Sequence, residues 1–252
     1  MAEIKLDKIS TKSDEDQDKK KTKEKTAKLL EDINALQNLL YAENKHALLI
    51  ILQGMDASGK DGVIRNIFGH LNPQGVMVKS FKAPTDNELH QDFLWRIHQH
   101  APAKGMIQIF NRSHYEDILI TRVRKWCDDE NAKKRMKAIN DWEELLTHHN
   151  NTHILKFYLH VSFEEQEERL EERKTDPTKM WKYNENDYKE REFWNDYKEV
   201  YEDAFANCNQ PPWSIIPSDQ NWYKEYLIAS KVCDTLKNLD MKFPAMKTKE
   251  ST

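Results

Sequence analysis

A phosphate-loop pattern set between a strand and a helix constrains this chain more than any other feature. Residues 47–52 are all apolar, a run too short for an isolated helix but typical of a fully buried strand. The pattern G-x-x-x-x-G-K follows, with an acidic residue where Ser or Thr is usual, in Gly54-Met55-Asp56-Ala57-Ser58-Gly59-Lys60-Asp61. Apolar residues then recur at helical spacing as far as Phe68. Because backbone N–H groups at a helix start bind anions, this context predicts a phosphate site.

The residues of this loop that we predict to bind phosphate are Lys60 and Gly54, Ala57, Ser58 and Gly59. A lysine at the helix end of the loop can neutralise the oxygens of a phosphoryl group in transfer. The alternative is a tight strand–helix turn with an exposed lysine. That alternative explains both glycines but gives no reason for Lys60 to point into the turn.

Strand-like and helical segments alternate along the rest of the chain. After the first strand, four further segments have strand character, at 76–81, 106–110, 153–161 and 214–218, and helical segments separate them. Strands that alternate with helices favour a mostly parallel sheet covered on both faces. We therefore expect a three-layer α/β fold around a central parallel five-stranded sheet.

The two ends of the chain differ from this pattern. Residues 1–26 form a charged leader, and residues 11–25 contain no apolar side chain, so we expect the leader to be disordered or frayed. From Ala27 onward an apolar helical face runs to Leu40, and this helix is expected to pack on the sheet or on a partner subunit. The predicted domain spans 27–244, and residues 245–252 form a tail.

Composition excludes several classes of function. A net charge of −4 with 33% charged residues argues against a general nucleic-acid binder. Three isolated cysteines, Cys127, Cys208 and Cys233, suggest neither a disulfide framework nor a zinc site. No apolar run approaches roughly 18 residues, and no signal peptide opens the chain. We expect a cytoplasmic protein without a membrane or nucleic-acid partner.

Two aspartates of the loop are candidate metal ligands. A carboxylate at Asp61 can bind magnesium directly or through water, where a hydroxyl normally serves. Asp56 lies among phosphate-binding amides, which is electrostatically costly unless a metal or a nucleophile needs it. We favour metal coordination or orientation of an attacking phosphate for Asp56. A loop-stabilising Asp, hydrogen-bonded to backbone N–H groups, is the alternative.

Asn111 and Arg112 follow the third strand, at the edge where open α/β sheets bind ligands. The Arg112 guanidinium can bind a phosphate through two hydrogen bonds, and pairing with Glu116 at i+4 is the alternative. Arg122 lies on the next helix and is also a candidate phosphate ligand, and Lys82 extends the basic track after the second strand.

A charged hairpin at about 165–195 has the character of a lid. Arg169, Arg173 and Lys182 lie here beside Pro177 and Trp181. Small P-loop kinases carry an arginine-bearing lid at this point, which closes over the phosphates and excludes water. Interleaved glutamates make salt bridges along the helix a close alternative to a lid.

A series of aromatic residues follows the hairpin. We interpret it as helix packing rather than as a platform for base stacking: Tyr188, Phe193, Trp194, Tyr197, Tyr201 and Phe205.

The chain resembles polyphosphate kinase family 2 in several ungapped blocks. Besides the phosphate loop, the matching blocks are Phe110-Asn111-Arg112-Ser113-His114-Tyr115-Glu116-Asp117, Leu71-Asn72-Pro73-Gln74-Gly75-Val76, Ser80-Phe81-Lys82-Ala83-Pro84, Trp181-Lys182-Tyr183 and Pro212-Trp213-Ser214-Ile215-Ile216-Pro217. The resemblance covers about 30–244. It implies a thymidylate kinase-like P-loop fold with a helical lid. It also implies transfer of phosphate from inorganic polyphosphate to nucleotides with magnesium, or manganese in its place.

The resemblance also implies roles for single residues. For Asp56 it implies metal binding or activation of the nucleotide phosphate. Lys60, Asp61, Arg65, Asn111 and Arg112 would form the phosphate and metal centre, with Asn111 and Glu116 at the nucleotide, and Arg169, Arg173 and Lys182 would contact the phosphate chain from the lid. Asn111-Arg112 followed by Tyr115-Glu116-Asp117 is similar to class III of the family, which accepts both AMP and ADP.

The resulting hypothesis is a magnesium-dependent, reversible polyphosphate kinase that makes ADP and ATP, with guanine nucleotides as further substrates. Family resemblance and the apolar helix near the N-terminus suggest a homodimer or homotetramer. The first rival is an ATP-dependent small-molecule or nucleotide kinase of the same fold. The second is a non-catalytic phosphate-loop protein that binds polyphosphate or nucleotide.

Overall fold

The computed structural model of the protein describes residues 4–246. Its centre is a five-stranded sheet in the order β2-β3-β1-β4-β5, and every neighbouring pair of strands is parallel. The strands are β1 Ala47–Gln53, β2 Val76–Ser80, β3 Ile107–Asn111, β4 Thr152–His160 and β5 Trp213–Pro217. The predicted parallel five-stranded α/β sheet is confirmed.

Ten α-helices surround the sheet in the described part of the chain. They are α1 Lys19–Glu43, α2 Lys60–Val63, α3 Asp86–Leu89, α4 Trp95–His98, α5 Ile120–Val123, α6 Asp129–Asn150, α7 Phe163–Thr175, α8 Glu185–Glu190, α9 Trp194–Asn207 and α10 Asn221–Lys237. A π-helical turn, Ile64–Phe68, continues α2. None of the helices between residues 4 and 246 has the length and apolar character needed to cross a lipid bilayer.

The central strand β1 is buried along its whole length and separates two cores. Alternate side chains of a strand point to opposite faces. Leu49 and Ile51 accordingly pack in one apolar cluster with side chains of α6 and α9. Leu48 and Ile50 pack in the other with side chains of α1 and α10. The fold therefore has three layers, and α1 covers the sheet together with α10.

The leader prediction is wrong for residues 4–26. Leu6 is fully buried, and its backbone N–H donates to Glu202 Oε1 at 2.8 Å. Thr11 Oγ1 donates to Asp219 Oδ2 at 2.7 Å, and α1 begins at Lys19, eight residues before the predicted start. The apolar side chain of Leu6 and these distant polar partners order a segment whose local composition indicates disorder. Residues 1–3 of the leader and 247–252 of the tail lie outside the described residues.

Two helical segments are interrupted, one between α3 and α4 and one between α8 and α9. Between α3 and α4, Asp92 Oδ1 accepts the backbone N–H of Leu94 at 2.9 Å, a local bond that competes with helix formation. Between α8 and α9 the backbone tightens into a 3₁₀ turn, Arg191–Phe193. There the guanidinium of Arg191 lies 3.9 Å from the centroid of the Phe163 ring on α7. A tertiary contact thus accompanies the second interruption.

Candidate active site

The phosphate loop, residues 54–61, connects β1 to α2 at the carboxyl edge of the sheet, where ligands bind in folds of this kind. Gly54 and Gly59 adopt φ values of +147° and +99°, which only glycine reaches without strain. Gly59 is also the N-cap residue, directly before the first residue of α2. The two glycines therefore allow the sharp turn from strand to helix that the motif predicts.

Lys60 folds back over this loop. Its ammonium group donates to the carbonyl oxygens of Gly54 at 2.7 Å and Met55 at 3.1 Å. The residue is only 8% exposed, so it is not the exposed lysine of the alternative interpretation. Burial, with the neighbouring cation Arg112, lowers the pKa of Lys60 to about 8. The charge is held at the mouth of the loop, where a phosphate can use it.

Arg112 lies between two carboxylates. It leaves β3 with a left-handed φ of +60°, pairs directly with Asp56 and donates to Glu116 Oε2 at 3.1 Å. The i+4 pairing and the approach to the phosphate loop, proposed as alternatives, therefore occur together. Burial alone would raise the pKa of Asp56, but Arg112 and Lys60 lower it below its ordinary value. Asp56 is thus held as a carboxylate beside two cations.

Asp61 joins three separate segments. Its carboxylate accepts from Asn111 Nδ2, at the end of β3, at 2.9 Å. It also accepts from Lys182 Nζ, in the connection between α7 and α8, at 2.6 Å. The side chain is 61% exposed, so these contacts lie at the rim of the site. The predicted lid therefore reaches the phosphate loop through Lys182.

Arg169 differs from the prediction. Its guanidinium donates to the carbonyls of Ala57 and Ser58, both at 3.0 Å, and to Glu165 at 2.8 Å. The remaining nitrogen donates to the carbonyls of Ser218 and Asp219 at 2.7 and 3.0 Å. All five N–H donors of an arginine are thus used within the protein. Arg169 therefore stabilises the phosphate loop through hydrogen bonds, and in this structure none of its N–H donors is left for a phosphate chain.

Arg173 pairs with Asp187 of α8 and so connects α7 to α8, the two helices of the predicted lid. The interleaved glutamates find other partners: Glu171 pairs with Lys174 and Glu172 with Lys179. The rival interpretation of helix salt bridging therefore holds for Lys174 with Glu171 and for Arg169 with Glu165, whereas Lys179 lies beyond the end of α7. It does not account for Arg173, whose partner is fourteen residues away.

Three predicted phosphate ligands lie apart from the cluster. Arg122 pairs with Asp129 of α6 and Asp203 of α9, neither of which is a site residue. Arg65 is exposed on the π-helical turn and donates to Asn66 Oδ1 at 3.2 Å. Lys82 is exposed just beyond β2. The structure thus brings together Asp56, Lys60, Asp61, Asn111, Arg112, Glu116 and Lys182, without contacts from these three.

A small cleft lies beside the Asp56–Arg112 pair. Its walls include Glu116 and the aromatic side chains Trp194 and Tyr197 of α9. Tyr201 also reaches the cleft, while Phe205 is buried in the core. Helix packing, as expected from the sequence, therefore describes only part of the aromatic series. Three of its members also face a space next to the charged cluster.

Comparison with known proteins agrees with this geometry. The family model described as Polyphosphate kinase 2 (PPK2) matches residues 15–244. The chain belongs to the polyphosphate kinase 2 family. Enzymes of this family are kinases, so the predicted phosphotransferase class is confirmed.

Similar proteins include two named phosphotransferases and one solved structure. The chain is 45% identical over 218 residues to an AMP/ADP-polyphosphate phosphotransferase of Meiothermus ruber, covering 86% of this chain and 81% of the relative. It is 40% identical over 229 residues to an ADP-polyphosphate phosphotransferase of Rhodopseudomonas palustris, covering 85% and 79%. The crystal structure of a polyphosphate kinase 2 from Arthrobacter aurescens superimposes with a TM-score of 0.94 at 38% identity, over 97% of this chain and 89% of that one. The predicted fold is therefore that of the family.

The residues of this PPK2 site can bind a divalent metal only together with oxygen atoms of a bound phosphate. Between residues 4 and 246, no group of three or more His, Cys, Asp or Glu side chains could hold an ion. Asp56 and Asp61 are the carboxylates of the phosphate loop, and both pair with cationic side chains. Hard cations such as Mg²⁺ take oxygen ligands and often bind through one or two carboxylates plus phosphate oxygens. The two aspartates supply that kind of partial ligand set.

Two residues at the PPK2 phosphate loop were missed in the sequence. Gln166 of α7 donates to the carbonyl of Asp56 at 2.9 Å, and Lys224 of α10 donates to the carbonyl of Ser58 at 3.1 Å. Each residue is more than a hundred positions from the loop, outside any local motif. Only the packing of α7 and α10 against the loop identifies them.

Proposed function

We propose that this PPK2 protein transfers the terminal phosphoryl group of inorganic polyphosphate to AMP and to ADP. Relatives at 45% and 40% identity bear names for this chemistry. The observation that carries the proposal is the meeting of three segments at one site. The loop supplies Lys60, the turn after β3 supplies Arg112, and the lid supplies Lys182 in contact with Asp61. Such a cluster suits two phosphorylated molecules that must be brought together.

The reaction needs no nucleophile from the protein. An oxygen of the acceptor nucleotide's phosphate forms a bond to the terminal phosphorus of polyphosphate. The bridging P–O bond breaks, and the shortened chain leaves with the electron pair. Lys60 and Arg112 neutralise charge on the transferred group, and the lid excludes water. His114, two residues after Arg112, is fully buried and is therefore not available as a nucleophile.

We propose Mg²⁺, with Mn²⁺ as a substitute, as the metal, held by Asp56 and Asp61 with phosphate oxygens. When bound, the ion neutralises phosphate charge and orients the oxygens. Release of Asp61 from Lys182 would free the carboxylate for the ion and the ammonium group for the phosphate chain. Arg65 and Lys82 are proposed contacts for a longer chain, since both are exposed cations near the carboxyl edge.

The test is a donor and acceptor scan with purified protein. Polyphosphate and Mg²⁺ with AMP should yield ADP and ATP, and guanine nucleotides serve as further acceptors. Use of ATP but not polyphosphate as the donor would favour the small-molecule kinase. Tight binding with slow single-turnover transfer would favour the non-catalytic binding protein.

Lys60→Ala and Asp56→Asn test the site itself. Each should lower kcat at least 10²-fold, the usual cost of removing one group that stabilises developing charge. The matched control is Lys137→Ala, an exposed lysine on α6 paired only with Asp141. Thermal unfolding at the wild-type temperature would show an intact fold. Retained activity in either variant would remove that residue from the mechanism.

We propose a homodimer or homotetramer that accepts both AMP and ADP. Light scattering on the purified protein checks the mass of the assembly, and a monomer would contradict the proposal. The ratio of kcat/KM for AMP to that for ADP measures acceptor preference. Detectable turnover of both would agree with the class III resemblance.

A further inference from the structure

Lys224 is a buried cation behind the phosphate loop. It lies in the first turn of α10 and is only 1% exposed. Its ammonium group donates to the carbonyl oxygen of Ser58 at 3.1 Å and to Asn221 Oδ1 at 2.9 Å. Among residues 4–246, Lys224 forms no ion pair with a carboxylate, and Glu225 and Glu165 act on its charge only from a greater distance. The positive charge is therefore buried with only neutral hydrogen-bond partners.

The space that this ammonium group occupies depends on Gly59. A Cβ at Gly59 would lie 2.2 Å from Lys224 Nζ, far inside any allowed contact, and the backbone there has a φ of +99°. At Gly62, three residues along the same segment, a Cβ would meet nothing within 4 Å. The second glycine of the motif thus leaves room for a side chain from α10 as well as permitting the turn.

The hydrogen bonds to Ser58 fix the direction of one peptide unit. Lys224 and Arg169 both donate to the Ser58 carbonyl oxygen, at 3.1 and 3.0 Å. The Ser58–Gly59 bond is trans, so the Gly59 N–H of the same planar unit points the opposite way. That N–H has no acceptor in the described part of the chain. Arg169 and Lys224 therefore fix the orientation of a peptide unit whose unused N–H donor, on the side opposite to them, is available to a bound phosphate.

The surroundings of Lys224 disfavour its positive charge, which indicates that the residue is there for a function. Burial and the nearby Arg169 guanidinium lower the pKa of Lys224 to about 7, and Glu225 and Glu165 offset this only in part. A buried charge without a partner costs folding free energy. Polyphosphate in the loop would supply the missing negative charge.

We propose that Lys224 is a positioning residue for polyphosphate, which acts through the Ser58–Gly59 peptide and whose charge is compensated when the phosphate chain binds. This inference rests on the proposed function, because it assumes that the loop binds polyphosphate. It assigns Lys224 no direct contact with the reacting atoms.

The test is calorimetric titration of the intact protein with inorganic tripolyphosphate and, separately, with AMP. Lys224→Met should weaken tripolyphosphate binding at least tenfold, leave AMP binding within twofold, and unfold no earlier than the wild type. Lys224→Arg keeps the charge and should recover most of the affinity. Lys231→Met, exposed on the same helix, should bind like the wild type.

A second pair of variants tests the space at Gly59. Gly59→Ala should weaken tripolyphosphate binding at least as much as Lys224→Met, whereas Gly62→Ala should not change it. Unchanged affinity in Lys224→Met would overturn the role of Lys224, and so would equal losses for tripolyphosphate and AMP. Failure of the wild type itself to bind tripolyphosphate would instead refute the proposed function.

Discussion

Two groups of charged side chains contact the segment that follows β3, and they differ in exposure to water. One group is fully buried: Lys156 donates to Glu143 at 2.8 Å and to the Tyr115 hydroxyl and the Cys208 carbonyl, both at 2.9 Å. His114 also contacts Glu143, at 3.2 Å. The other group lies at the rim, where Lys182 and Asp61 are 32% and 61% exposed.

The buried group is a fixed structural support, whereas the exposed pair is a contact whose partners can be exchanged. All three donors of Lys156 are used, and burial leaves no water to replace a lost partner. Burial alone would raise the pKa of Glu143, but Lys156 and His114 keep it below its ordinary value. This network fixes the turn that carries Arg112 and Glu116. At the rim, water can take the place of either partner, and phosphate can take the place of the Asp61 carboxylate, at little cost.

Breaking the buried network should have the largest effect on stability. Lys156→Met leaves the Glu143 carboxylate buried without its cation, at an expected cost of about 3–5 kcal/mol in the free energy of unfolding. Urea denaturation measures the loss. Lys137→Met, exposed on α6, is the control. A loss below about 1 kcal/mol in the free energy of unfolding would show that the buried group contributes no more to stability than an exposed ion pair.

Asp117 is intermediate in exposure between the buried network and the rim pair. Burial raises the pKa of Asp117 from 3.8 to about 6, and the Arg96 and Arg135 cations offset this only in part. A carboxyl whose pKa is raised on folding stabilises the fold below its unfolded pKa and loses that contribution as pH rises through about 6. Asp117→Asn should therefore stabilise the protein by about 3 kcal/mol at pH 8 and by less than about 1 kcal/mol at pH 4.

The measurement for Asp117→Asn is the free energy of unfolding across this pH range. A constant difference between variant and wild type would contradict the raised pKa. Asp141→Asn, at an exposed carboxylate of α6, should show no comparable pH dependence.

The rim pair should have the smallest effect on stability. Lys182→Ala should change the free energy of unfolding by less than about 1 kcal/mol, since exposed ion pairs contribute little. Its kcat/KM for polyphosphate should fall at least tenfold, because the lid loses a cation. Lys134→Ala, which removes an exposed pair with Glu130, should change neither quantity. A stability loss as large as that of Lys156→Met would erase the contrast between the two groups.

Local patterns predicted the elements whose causes lie close together in the chain. The apolar run of β1 is buried on both faces because neighbours cover it on both sides, and its length and composition already indicated that. The spacing of Gly54, Gly59 and Lys60 likewise predicts the turn and the lysine folded over it. The same reasoning from local composition gave a wrong prediction for the leader. The buried side chain of Leu6 and its distant partner Glu202 order that segment.

The sequence by itself determined the order of strands and helices, the phosphate loop and its charged residues, because periodicity and backbone freedom act over a few residues. Only the tertiary structure decided which cations face the anion site and which support it. Arg169 and Lys224 both hold the Ser58 carbonyl from behind, and Lys182 reaches Asp61 across 121 positions of the chain. Packing brings such partners together, and no local pattern in the sequence records that geometry.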